Sequence, residues 1–64
     1  MFRKYLNDSV IVLDEDWRYF AIRYYSEIQW IIYDRITDNY SKKYKDRNAM
    51  FEDFELSYLH NLRD

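Results

Sequence analysis

Four cations within six residues are the part of this sequence best suited to bind an anionic partner. They are Lys42, Lys43, Lys45 and Arg47, and Tyr40 and Tyr44 interrupt them. Cationic groups bind carboxylates and phosphates, while aromatic rings stack on nucleic-acid bases. The pattern fits an ordinary solvated loop, a site for an acidic or phosphorylated peptide, or a site for single-stranded nucleic acid. The net charge of −2 disfavours nucleic acid, whose general binders carry an excess of Lys and Arg.

The second candidate is the apolar and aromatic stretch at residues 17–33. On a helical wheel, one side of this stretch carries Trp17, Ala21, Tyr24, Ile28, Ile31 and Ile32, which is enough for a core face. The opposite side carries Tyr19, Ile22, Trp30 and Tyr33. This second set either packs beneath neighbouring segments or forms a partner-binding or self-association surface, because Trp and Tyr are enriched at interfaces.

The residue types that catalysis and metal binding require are scarce. The chain has no Cys, no Gly and one His, so thiolate metal sites and Gly-rich phosphate loops are excluded. No nucleophile is marked in sequence as a partner for His60. The sequence therefore predicts no enzyme activity, no cofactor, and no catalytic or metal-binding residue.

The elements that must position these candidates are expected to be helices. Without Gly or Pro, tight two-residue hairpin turns are disfavoured, and the abundant Lys, Glu, Arg and Leu suit helices. We expect helices at about residues 2–9, 15–34 and 47–64, with Asp46 or Ser41 capping the third. No apolar run reaches the ~18 residues of a membrane span, and an apolar signal-peptide region is lacking, so an intracellular protein is expected.

The expected core is largely aromatic, because eight Tyr, four Phe and two Trp are the main apolar mass of a 64-residue chain. It comprises Phe2, Leu6, Trp17, Ala21, Tyr24, Ile28, Ile31, Met50, Phe51, Phe54 and Tyr58.

The segment KDRNAMFEDFELSYL resembles the last helix of an FF domain, a small helical module named for two phenylalanines. The matching positions are Arg47, Phe51, Glu52, Phe54 and Leu59. Upstream, Phe2 and Leu6 are similar to the first Phe and its helical partner, and Ile11 and Trp17 to the Ile and Trp that enter the second helix. Asp38-Asn39-Tyr40 is similar to the Asp-Pro-x-Tyr of the following short helix, without its Pro.

The resemblance implies one all-α domain over residues 1–64, a three-helix bundle with a short 3₁₀ turn between helices two and three. It implies a monomeric protein-interaction module within a nuclear scaffold of pre-mRNA splicing or transcription elongation. Such a module binds short acidic, phosphorylated or helical peptides, including phosphorylated polymerase tails, or splicing factors. The alternatives are a self-associating helical bundle and a weak single-stranded nucleic-acid binder. The candidate partner-binding residues are Tyr19, Ile22, Trp30, Tyr33, Tyr40, Lys42, Lys43, Tyr44, Lys45 and Arg47.

Overall fold

In the described part of the chain, five antiparallel strands come first and one helical segment follows them. The structure is a computed structural model that describes residues 2–24 and 29–59. The strands are β1 (Lys4–Tyr5), β2 (Val10–Val12), β3 (Tyr19–Tyr24), β4 (Gln29–Asp34) and β5 (Asn39–Tyr40). They lie in the order β1-β2-β3-β4-β5, so each strand pairs with its neighbours in sequence. Helix α1 (Arg47–Asp53) continues as a π-helical segment, Phe54–Leu59, and α1 packs against β4.

The predicted all-α three-helix bundle is wrong, and so is the resemblance to an FF domain. Residues 19–24 and 29–34, assigned to one long helix, instead form the two longest strands. The apolar residues of this region occupy both sides of a helical wheel. The same residues also occupy both faces of a strand, because successive side chains in a strand point to opposite faces. The many β-branched and aromatic residues of this region fit such a sheet. The third helix was predicted correctly from residue 47 to residue 59, and Asp46 caps it by accepting a hydrogen bond from the Ala49 amide at 2.8 Å.

The turns that the structure describes form without glycine because they are longer than two residues or use residues that tolerate a positive φ. The β4–β5 turn ends at Asp38, whose φ is 57°. Asp is among the residues that adopt this left-handed conformation most readily. The β2–β3 turn contains Trp17 at φ 56° and is held by the Asp14 side chain. The absence of Gly therefore did not exclude a sheet.

A β-bulge follows β5 and changes which side of the sheet its residues face. Tyr40 lies opposite Tyr33, and Tyr44 lies opposite Trp30. The three residues 41–43 therefore lie opposite only two residues of β4, 31 and 32. The extra residue is accommodated near Ser41, whose hydroxyl accepts a hydrogen bond from the Ile32 amide at 2.8 Å. The bulge places Tyr44 on the helix side of the sheet, while Tyr40 is on the other side.

The core lies between one face of the sheet and the helical segment. Its buried members are Ile11, Leu13, Tyr19, Ala21, Trp30, Ile32, Tyr44, Met50, Phe51 and Phe54. Phe54 is at the centre, with its ring centroid 5.4 Å from that of Tyr19 and 5.3 Å from that of Tyr58.

Of the residues expected in the core, Ala21, Ile31, Met50, Phe51 and Phe54 are buried, and Phe2 and Tyr58 are half-buried. Ile28 lies outside the described residues. Three expectations were wrong, because Leu6, Trp17 and Tyr24 are exposed. Leu6 and Trp17 lie in turns, and Tyr24 alternates onto the sheet face away from α1. The predicted helical spacing had placed all three side chains on the buried side of a helix.

Candidate functional site

The sheet face opposite α1 carries apolar side chains where polar ones are usual. We call it the open face. The register of the strands gives it two apolar cross-strand rows, with the pair of Tyr24 and Gln29 beyond the second. The first row comprises Lys4, Val12, Phe20, Tyr33 and Tyr40. The second row comprises Val10, Ile22 and Ile31. An antiparallel sheet with one face on a core normally has a polar second face, so the apolar open face needs an explanation.

The centre of the open face is tightly packed and its margin is exposed. Val12 is 0% exposed and Ile31 is 4% exposed, although neither belongs to the core beneath α1. Among the described elements, α1 contacts the sheet at β4, and its buried partners lie on the other face. The rings at the margin are the accessible ones: Trp17 is 39% exposed and Tyr40 is 61% exposed.

Cations and one carboxylate lie at the margin of the open face. The Lys4 ammonium is 5.5 Å from the centroid of Trp17, and that of Lys43 is 5.0 Å from the centroid of Tyr24. The Tyr33 hydroxyl donates a hydrogen bond to Asp38 Oδ1 at 2.6 Å, and this bond raises the pKa of Tyr33. An apolar centre with charges at the rim is the usual anatomy of a protein interface.

A groove of about 540 Å³ lies on the other side of the sheet, beside the helical segment. It is lined by Arg18, Tyr19, Ser41, Lys42, Tyr44, Asp53, Ser57 and Tyr58. Each Asp53 carboxylate oxygen already accepts a hydrogen bond, one from the Tyr44 hydroxyl and one from Ser57 Oγ at 3.2 Å. Burial raises the pKa of Tyr44, and the bond to Asp53 raises it further. The groove is therefore a tyrosine-rich polar network that joins the helix to the bulge, with both oxygens of its carboxylate engaged.

Arg18 and Asp34 form a two-pronged ion pair at the end of the sheet. Arg18 donates to Asp34 from Nε at 3.0 Å and from Nη2 at 2.9 Å. Asp34 Oδ1 also accepts from the Ile36 amide at 3.0 Å and so closes the β4–β5 turn. The bond from Arg18 is the main reason why the pKa of Asp34 falls from 3.8 to about 2.

Stability below pH 4 should depend on Asp34. Its pKa is lower in the folded chain than in the unfolded one, so the ionised carboxylate stabilises the fold above about pH 4. This contribution is lost as the pH falls toward about 2. In Asp34→Asn we expect a shallower loss of stability between pH 4 and pH 2, measured by urea denaturation at each pH. An equally steep loss in the variant would contradict this assignment.

A second cavity, of about 420 Å³, lies between the β1–β2 turn and the start of α1. It is lined by Tyr5, Asn7, Asp8, Ile11, Arg23, Trp30 and Arg47. Two guanidinium groups and one carboxylate therefore share this cavity.

The predicted basic cluster does not form one surface. Lys42 lines the groove, with its ammonium 5.6 Å from the centroid of Tyr44, whereas Lys43 lies at the open face. Arg47 lines the second cavity, and Lys45 is exposed between them. The bulge and the start of the helix turn successive residues of this segment in different directions.

The predicted aromatic surface is divided between the two faces of the sheet. Tyr19 and Trp30 are buried under the helix, at 5% and 6% exposure. Ile22 and Tyr33 lie on the open face, with Tyr40 beside them. Sequence reasoning missed five residues of the two rows as binding residues, Lys4, Val10, Val12, Phe20 and Ile31, of which it had assigned Ile31 to the core. The signal that could have indicated a sheet here is the concentration of β-branched and aromatic residues in β2, β3 and β4.

No family model, curated protein or solved structure matches the chain. With the FF resemblance overturned, the expectations of splicing, transcription elongation and a nuclear location lose their support. The part of the chain that the structure describes contains no helix long and apolar enough to cross a membrane. The same residues contain no group of three or more His, Cys, Asp or Glu side chains placed to hold a metal ion.

Proposed function

We propose that this chain is a protein-interaction domain that binds its partner through the open face of the sheet. The observation that carries the proposal is the pair of apolar rows on the face opposite α1. Val10, Phe20, Ile22 and Tyr33 are only half-buried there, so a partner would remove more of their apolar surface from water.

The shape and composition of the face favour a protein over a small molecule. Small-molecule sites are concave and enclose most of the ligand, whereas this face is the surface of a sheet. Its aromatic and aliphatic centre, with Lys4, Lys43 and Asp38 at the rim, resembles the centre and rim of a protein interface. The dispersal of Lys42, Lys43 and Arg47 over different surfaces removes the earlier argument for an acidic or phosphorylated peptide.

Ile22→Lys is the substitution that tests the proposal. Ile22 is half-buried in the middle of the second row, and a lysine there places a charge at the centre of the face. Its matched control is Leu56→Lys, because Leu56 is 68% exposed on the helical segment. Peptides selected from a displayed random library on the unmodified chain are titrated against both variants. We expect affinity for Ile22→Lys to fall at least about 30-fold, and affinity for Leu56→Lys to be unchanged.

Circular dichroism and urea denaturation establish that both variants are folded before binding is compared. Selected peptides that bind Ile22→Lys and the unmodified chain equally well would contradict the proposal. So would peptides whose binding depends on Leu56 instead.

Single-stranded nucleic acid is a second candidate, and one observation favours it. Three exposed rings lie at the margin of the open face, Trp17, Tyr24 and Tyr40, and a lysine ammonium lies over two of them. Aromatic rings beside cations stack bases without strong sequence preference. The same variants can be titrated with labelled oligouridylate at low salt. Tight, salt-dependent binding would favour nucleic acid over protein.

A further inference from the structure

We propose that the partner on the open face is a second copy of this chain, stacked face to face about a two-fold axis that runs along β3. The inference rests on the proposed function, because it names the protein that the open face binds. It is carried by the order of residues across the sheet, which makes the open face complementary to itself.

The first row can pack against the same row of a second copy when that row runs in the opposite direction. It runs from Lys4 on β1 through Val12, Phe20 and Tyr33 to Tyr40 on β5. A two-fold axis along β3 lays β1 of one copy over β5 of the other and so reverses the row. Lys4 then faces Tyr40 of the other copy, and Phe20 faces its own counterpart. Half-buried Tyr33 lies over the position of Val12, which is itself 0% exposed.

The charges in this arrangement favour association. The Lys4 ammonium meets the ring of Tyr40, which is 61% exposed, and so gains a cation–π contact. The Asp38 carboxylate, bonded to the Tyr33 hydroxyl, lies at the same end of the facing row and offers Lys4 an opposite charge. Neither of the two rows contains a carboxylate, so no acidic group is buried at the centre.

The second row can also pack against the same row of a second copy that runs in the opposite direction. Reversal puts the two half-buried Ile22 side chains together at the axis, and it lays half-buried Val10 of one copy over the position of Ile31, which is 4% exposed. Two sheets packed in this way lie about 10 Å apart, as in a β-sandwich, with aliphatic side chains between them. The dimer would thus give the open face the second layer that a sheet with two apolar faces normally has.

The size of the face predicts a weak dimer. β3 and β4 have six residues each, which gives a length of about 20 Å at ~3.4 Å per residue. Five strands at ~4.8 Å spacing give a similar width, so the footprint is on the order of 400 Å² per copy. A standard stable interface buries about 800 Å² per partner. We therefore expect a dissociation constant on the order of 100 μM.

Sedimentation equilibrium between about 10 μM and 1 mM tests this expectation. The unmodified chain and Leu56→Lys should shift from monomer to dimer over this range. Ile22→Lys should remain monomeric, because the substitution places two ammonium groups together at the axis. We expect its dissociation constant to rise at least about 30-fold.

Isotope-filtered nuclear Overhauser spectra of a mixed labelled and unlabelled sample then test the arrangement. We expect contacts between copies that join Ile22 methyls to Ile22 methyls at the axis and Lys4 side-chain protons to the Tyr40 ring. A chain that stays monomeric at 1 mM, or a dimer whose contacts involve α1, would overturn the homodimer. In the monomeric case, selected peptides that still require Ile22 would leave the proposed function standing. Peptides that do not require Ile22 would remove both proposals.

Discussion

Phe54→Ala is expected to lower the free energy of unfolding by about 3–5 kcal/mol, as the removal of a buried Phe ring generally does. Phe54 is 0% exposed, and its ring packs against Tyr19 from the sheet and Tyr58 from the helical segment. Alanine would leave a cavity at the junction of these two elements. A domain of this size has only marginal stability, so the variant should be largely unfolded at 25 °C.

Urea denaturation followed by tryptophan fluorescence and far-ultraviolet circular dichroism measures this loss. Leu56→Ala is the matched control, because Leu56 belongs to the same helical segment and is 68% exposed. We expect the control to change stability by less than about 0.5 kcal/mol. A cooperative Phe54→Ala variant with nearly unchanged stability would show that the helix does not pack on the sheet as described.

Asp14→Ala should have the second largest effect, about 2–4 kcal/mol of stability, because it leaves two backbone amides without an acceptor. Asp14 Oδ1 accepts hydrogen bonds from the amides of Arg18 at 2.9 Å and Tyr19 at 2.8 Å. Both bonds are partly buried and lie at the start of β3. They hold the β2–β3 turn, in which Trp17 adopts a positive φ.

The matched control for this turn is Asp14→Asn, because the amide oxygen of asparagine can accept the same two hydrogen bonds. The free energy of unfolding of Asp14→Asn, measured by equilibrium denaturation, should lie within about 1 kcal/mol of that of the unmodified chain. It should be well above that of Asp14→Ala. Equal losses in the two variants would mean that the carboxylate charge, rather than the hydrogen bonds, holds the turn.

The elements that sequence reasoning found are those whose signals are local. The third helix has a capping Asp46 and apolar residues at helical spacing, and it forms from Arg47. The strands were missed because YFAIRY and QWIIYD are apolar on both faces. Such segments show neither the alternation of a half-buried strand nor a single helical stripe. Only the pairing of each segment with its neighbouring strands determines its conformation, and the sequence does not display that pairing.

The candidate site was predictable only in part, because it depends on strand alternation and on the register of the strands. Ile22, Tyr33 and Tyr40 were singled out and lie on the open face. Tyr19 and Trp30 were grouped with them by helical geometry, but strand alternation turns these two residues toward α1. The basic segment was expected to act as one cluster, but a bulge that is visible only in the register separates its members.

The most direct test of the central claim is a methyl carbon–proton spectrum of the labelled chain, recorded as a library-selected peptide is added. If the open face is the binding surface, the methyl signals of half-buried Val10 and Ile22 should shift together. The signals of Met50 in the core and Leu56 on the helical segment should stay in place. Shifts confined to Leu56 and Met50, with the open-face signals unmoved, would contradict the account.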